Sequence, residues 1–143
     1  MKTVRQLLDA KGYEVLSIRP DAEVFEALQI MANHRVGALV VLDEEGRLAG
    51  IFSERDYARE VALKGKTSRN TKVGEVMSTT VITVTPDQLT EECMELMSGK
   101  RIRHLPVLEN DRVIGILSIG DLVKETIAYQ QFLIQQLEQY IRS

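Results

Sequence analysis

The chain repeats itself. Residues 15–42 fall on residues 81–108 at one constant offset of 66, fixed by Pro20 on Pro86 and Asp21 on Asp87. Nine of these 28 positions are identical, among them Val15/Val81, Glu26/Glu92, Met31/Met97, Arg35/Arg101, Leu39/Leu105 and Leu42/Leu108. One residue is lost in the loop that follows, and agreement resumes with Arg47/Arg112, Gly50/Gly115, Ile51/Ile116, Ser53/Ser118 and Asp56/Asp121. A match this long implies two copies of one supersecondary unit. In 143 residues each copy has about 60, which is marginal for an independent core, so the two are expected to pack face to face and share one.

Each copy reads as strand, helix, strand, strand, helix. Residues 15–18 and 81–84 are short β-prone runs closed by a Pro-Asp pair that breaks the strand and can start a helix. Apolar residues then recur at Val24, Ala27, Leu28 and Met31, and at Leu89, Cys93, Met94 and Met97, the spacing of an amphipathic helix. A second strand follows at 38–42 and 104–108, then a polar turn and a third strand ending at Ser53 or Ser118. The crossover predicts parallel first and second strands, and the short turn makes the third antiparallel to the second. The expected fold class is α/β (α+β), two β-α-β-β-α motifs about a pseudo-twofold axis. Residues 1–64 form the first motif with an N-terminal lead-in helix, 65–72 a linker, 73–125 the second motif and 126–143 a helical extension.

Along that extension Val123, Ile127, Ile134, Leu137 and Ile141 make one apolar stripe, too long for this small body to cover. It predicts either a partner helix, most simply from a second copy of the chain, or a helix folded back over its own core.

The chemistry concentrates in Gly50-Ile-Phe-Ser53-Glu-Arg55-Asp56, repeated as Gly115-Ile-Leu-Ser118-Ile-Gly120-Asp121. Glycine admits close approach to the backbone, and a helix start offers unpaired N–H groups to an anion. The hydroxyl suits a phosphate or sugar, and the carboxylate can accept from both hydroxyls of a ribose. The alternative is a Ser/Asp capping pair with no ligand. Two copies at equivalent places favour a nucleotide grip.

The repeat, the order of elements and both Gly-x-x-Ser-x-x-Asp endings resemble a tandem CBS-domain protein, or Bateman module, from about Val4 to Val123, including the lead-in Val73-Gly-Glu-Val-Met77. The resemblance implies clefts that bind AMP, ADP, ATP, NAD or S-adenosylmethionine, and a regulatory or sensing role without catalysis. It places Asp121 and Asp56 on ribose hydroxyls and Ser118 and Ser53 near phosphate. Adenine would lie against Leu16 and Val36-Gly37-Ala38 in one cleft, and against Ile82 and Ile102-Arg103-His104 in the other. The slot and grip of one copy are expected to share a cleft, so Arg103, His104, Ser118 and Asp121 form the stronger site, with planar donors for phosphate. Arg55 gives the other grip a cation where the second copy has Gly120. Arg35 and Arg101 read as solvated helix ends, and His104 as either a ligand contact or a structural histidine.

Other classes fare worse. Lys and Arg total 18 against 21 Asp and Glu, a net charge of -3, which opposes general nucleic-acid binding. The single cysteine, Cys93, forms no internal disulfide, the charged first residues do not resemble a signal peptide, and no apolar run is long enough for a membrane span, so the expected location is the cytosol. Gly65-Lys66-Thr67 mimics the tail of a phosphate loop, but Glu60 stands where its first glycine belongs. His34, His104 and Cys93 show no zinc spacing, so no metal is expected. Two rivals to a nucleotide sensor acting in trans on an unidentified protein are a ligand-free dimeric scaffold and a nucleotide-hydrolysing enzyme.

Overall fold

Thr3 opens the first helix with a reciprocal cap: its hydroxyl accepts from the Gln6 N–H, and the Gln6 side chain accepts from the Thr3 N–H. In this computed structural model, which describes residues 2–142, that helix (α1, Val4–Lys11) leads into β1 (Ser17–Ile18), α2 (Val24–His34), β2 (Ala38–Leu42), β3 (Leu48–Ser53) and α3 (Glu54–Tyr57). A π-helical turn, Ala58–Ala62, continues α3. The second half contains α4 (Val73–Val76), α5 (Thr90–Lys100), β4 (His104–Glu109), β5 (Arg112–Ser118) and α6 (Ile119–Arg142).

The first half has the expected sheet. β1 pairs parallel to β2, and β2 antiparallel to β3 with Ala38 opposite Ser53. β4 and β5 repeat the hairpin with His104 opposite Ser118. The expected strand at 81–84 is reduced to a single parallel bridge between Val84 and Val107. In the first half the Val40 N–H donates to the Leu16 carbonyl at 3.3 Å. Its equivalent is Pro106, which has no N–H to give Ile82, so the ladder stops one residue short. The lost residue between copies is a change of turn: Asn110 and Asp111 both take positive φ (53° and 62°) in a tight turn, whereas the longer first loop places Gly46 at φ 78°.

The two halves are tied by exchanged lead-ins. Val4, Leu7 and Leu8 of α1 are buried with Cys93, Met97, Leu105 and Leu117 in the core of the second half. Val73 and Val76 of α4 are buried with Val24, Met31, Leu39 and Phe52 in the core of the first. The backbone bonds repeat with the copies: Val4 N–H to Gln88 O and Arg5 N–H to Pro86 O are matched by Val73 N–H to Ala22 O and Gly74 N–H to Pro20 O, all within 2.8–2.9 Å. Two glycines allow the seating. A Cβ at Gly115 would lie 2.7 Å from Leu8, and one at Gly50 would lie 2.7 Å from both the Met77 sulfur and the Ser78 carbonyl.

α6 does not fold back over the body. Leu122 is its buried residue, while Ile127, Ile134, Leu137 and Ile141 are 49–80% exposed. The fold-back alternative is therefore corrected: the stripe points into solvent because the helix leaves the body after its first turns.

If the exchanged lead-in stabilises the second half, Leu8→Ala removes a fully buried side chain from that core and costs about 2–5 kcal/mol in urea unfolding. Leu63→Ala, at a side chain 82% exposed, should stay within about 0.5 kcal/mol of the wild type.

Candidate functional site

Each third strand delivers its serine to a helix start. The Ser53 hydroxyl accepts from the Asp56 N–H at 3.2 Å, and Asp56 Oδ2 accepts from the Ser53 N–H at 2.9 Å. The second half repeats this, with the Asp121 N–H to Ser118 Oγ at 3.2 Å and the Ser118 N–H to Asp121 Oδ2 at 2.8 Å. The capping geometry is thus real in both copies, and it fixes the carboxylates beside the strand ends. The helix starts are also tied to the second strands: Glu54 N–H donates to Gly37 O, and Ile119 N–H to Arg103 O.

A cavity of about 840 Å³ opens where the halves meet, within the size range of small-molecule sites. The first half contributes Gly37, Ile51, Arg59 and the helix start Ser53–Asp56; the second contributes Ser78, Thr80 to Ile82, the run from Lys100 to His104, and Ile119. Gly37 faces the other half directly, since a Cβ there would stand 3.6 Å from the His104 ring. Of the expected residues, the cavity gathers Gly37, Ser53, Arg55, Asp56, Ile82, Ile102, Arg103 and His104. Leu16 and Val36 pack against the first core, Ala38 is buried, and Ser118, Gly120 and Asp121 do not line the cavity.

The expected pairing set Arg103 and His104 with Ser118 and Asp121, and the cavity adds the grip of the other copy. Arg103 and His104 share a cavity with Ser53 and Asp56 of the other copy, because packing about the pseudo-twofold axis sets the slot of one half against the grip of its mate. His104 opposes Ser118 in the strand register, and its ring stands between Gly37 of the first half and the charges of Lys11 and Asp121.

Sequence reasoning missed several lining groups. Ser78 and Thr80 follow the second lead-in, and the Ser78 hydroxyl donates to Asp56 Oδ1 at 2.9 Å. Arg59 lies one helical turn beyond Arg55, a spacing that could have flagged it. Arg101 takes the left-handed conformation, φ 55°, at the end of α5, and its carbonyl accepts from Arg55 Nη1 at 3.2 Å. It is a helix-closing residue, as read from the sequence, and also a wall of the cavity.

Five cationic side chains, Arg55, Arg59, Lys100, Arg101 and Arg103, face two carboxylates, Glu54 and Asp56. A chain of net charge -3 thus gathers local positive charge at this one joint, which draws anions. Burial lowers the His104 pKa, with Lys11 and Arg103 reinforcing the shift against Asp121 and Glu54, so the ring favours its neutral form. Burial alone would raise the Asp121 carboxyl, but hydrogen bonds from Lys11 and from Ser118 outweigh it and leave the group below its ordinary value. Burial pushes the Cys93 thiol up to about 11, so this buried sulfur is an unreactive core group. Among the described residues no cluster of three His, Cys, Asp or Glu side chains is placed to hold a metal ion, and no helix is long and apolar enough to cross a membrane.

Comparison with known proteins bears on the same two halves. Residues 5–63 and 73–127 each match the family described as CBS domain. The chain is 38% identical over 148 aligned residues to the mitochondrial CBS domain-containing protein CBSX3 of Arabidopsis thaliana, covering 98% of this chain and 72% of that protein. Among solved structures, the CBS domain NE2398 superposes with a TM-score of 0.85 at 47% identity, covering 88% of this chain and 98% of its own. The CBS domain pair of MJ0100, in complex with 5′-methylthioadenosine and S-adenosyl-L-methionine, superposes with a TM-score of 0.80 at 25% identity, covering 90% and 98%. The chain belongs to the CBS-domain family, carrying two CBS motifs in tandem.

Proposed function

We propose that the chain is a regulatory sensor that binds an anionic adenine nucleotide (AMP, ADP, ATP or NAD) in the cavity between its halves and signals in trans. The observation that carries this reading is the convergence of a ribose-type grip, Ser53 and Asp56, with a slot and a set of cations from the other half. Asp56 accepts from the ribose hydroxyls in place of the Ser78 hydroxyl it now meets, and Arg55 and Arg103 meet phosphate. Adenine packs on Ile82 and Ile102, and its amino group donates to the Ile82 carbonyl, the group that Pro106 leaves without its ladder donor. The MJ0100 pair holds adenosyl ligands; here the surplus of cations disfavours the positive sulfonium of S-adenosylmethionine.

Occupancy adds contacts to both halves at once and so favours whichever relative arrangement brings the walls closest. The free buried Cys93 is at home in the cytosol. The output surface is α6, whose residues 123, 127, 130, 134, 137 and 141 follow a four-three heptad rhythm with isoleucine at each of 127, 134 and 141. Isoleucine in that register opposite Val123 and Leu137 suits a parallel pair of identical helices. Two modules joined this way form a homodimer that presents one shared surface to a regulated protein.

Two measurements test these statements. In thermal shift or calorimetry, AMP, ADP, ATP or NAD should stabilise the chain by about 2.7 kcal/mol at roughly 100 times its dissociation constant, and Asp56→Ala should weaken binding about 10- to 100-fold, the worth of hydrogen bonds to a charged group. No stabilisation by any of the four would favour the ligand-free scaffold, and turnover of a nucleotide would favour an enzyme. Light scattering should give twice the 16.1 kDa chain mass, falling to one chain after truncation beyond Tyr129; an intact chain that is already monomeric contradicts the α6 dimer.

A further inference from the structure

Duplication should give two clefts, one at each grip, yet the two carboxylates meet different partners. In the first half the residue against Asp56 is Ser78. Its N–H donates to the Ile51 carbonyl at 2.9 Å and its hydroxyl to Asp56 Oδ1 at 2.9 Å. In the second half one side chain reaches both the matching carbonyl and the carboxylate: Lys11 Nζ donates to the Ile116 carbonyl and pairs with Asp121 Oδ2 at 2.6 Å, the oxygen that also accepts from the Ser118 N–H, whereas Ser78 meets Oδ1 of Asp56. Ile116 is the repeat partner of Ile51, and Asp121 of Asp56, so the two sites differ at this point by a neutral hydroxyl against an ammonium.

The ammonium is held from behind. Lys11 is the last residue of α1, whose Val4, Leu7 and Leu8 are buried in the second core, and the Gly12 N–H closes the helix on the Leu8 carbonyl at 2.6 Å. The Lys11 and Asp121 side chains are 33% and 22% exposed, so the pair is partly shielded from water. A ribose diol approaching Asp121 meets an ammonium already bound to one carboxylate oxygen and must share or displace that charge-assisted contact, whereas one approaching Asp56 displaces the neutral Ser78 hydroxyl from Oδ1. Charge-assisted hydrogen bonds are roughly twice as strong as neutral ones, and removing one partner of a shielded ion pair strands the other.

We propose that Lys11 is a tethered cation that occupies the second grip, so that the chain takes one nucleotide, at Asp56, and the Ser118/Asp121 cleft is latched shut from within. Lys11 thereby decides how many ligands a pair of near-identical motifs accepts. This rests on the nucleotide reading of the first cleft. It also gives the latch a direction: anything that draws Lys11 away frees the end of α1 and uncovers a second adenosine-type grip.

Calorimetric titration with AMP should give one site per chain in the wild type and two in Lys11→Met, which keeps the aliphatic stem and removes the charge; Lys11→Gln serves if the first variant folds poorly. A stoichiometry of two in the wild type, or of one in both variants, overturns the latch while leaving the first cleft standing. Absence of AMP binding in every form sinks the nucleotide reading instead, and the latch is then judged by amine labelling with an acetylating reagent, read by mass spectrometry without nucleotide. Lys11 should react more slowly than the exposed Lys66, and faster once Asp121→Asn removes its carboxylate. Equal rates at Lys11 and Lys66 in the wild type would show that no latch exists.

Discussion

Each lead-in helix completes the core of the half other than the one it leads into. α1 seats Leu8 over Gly115, and α4 seats Met77 over Gly50, in contacts that a single Cβ would block. Each half alone would leave an apolar face uncovered, and at about 60 residues it has little stability to lose. The exchange converts two marginal motifs into one body and also sets their relative orientation, because the matched bonds to Gln88, Pro86, Ala22 and Pro20 allow one register of packing.

The cavity follows from that orientation. With the halves related by a pseudo-twofold axis, the helix start after each third strand faces the second strand of the opposite copy, and the crevice between them cannot be filled by either. Its walls come from both halves, so a molecule bound there as proposed would contact both. A symmetric scaffold with asymmetric residues then differentiates its two Ser/Asp helix starts. Asp56 takes a neutral hydroxyl from Ser78 as its direct partner, Asp121 takes an ammonium from Lys11, and the basic run from Lys100 to Arg103 lines the Asp56 cavity because packing turns it there.

Much of this was legible in the residues. The repeat announced two like units, the Pro-Asp pairs marked where helices begin, and Ser53/Asp56 and Ser118/Asp121 read correctly as helix starts. Pro106 was visible too, and its missing N–H explains why residues 81–84 do not form the strand that their β-propensity suggested. What the sequence could not convey was pairing across space. Arg103 and His104 lie near Ser118 along the chain and by strand register, so local reasoning joined them to Asp121; only the packing of the halves shows that Ser53 and Asp56 share a cavity with them as well. Lys11 was hidden for the same reason, since 110 residues separate it from its carboxylate and nothing in the repeat flags it.

The central claim is that one ligand contacts the grip of the first motif and the slot of the second together. Photolabelling with 8-azidoadenosine followed by peptide mapping tests it most directly. The account predicts label on residues near Ile82 or Ile102 of the second motif, abolished by Asp56→Ala in the first and retained in Asp121→Ala. Label confined to the neighbourhood of Leu16 and Val36, or label on Ile82 and Ile102 that is lost with Asp121→Ala and indifferent to Asp56→Ala, would contradict it.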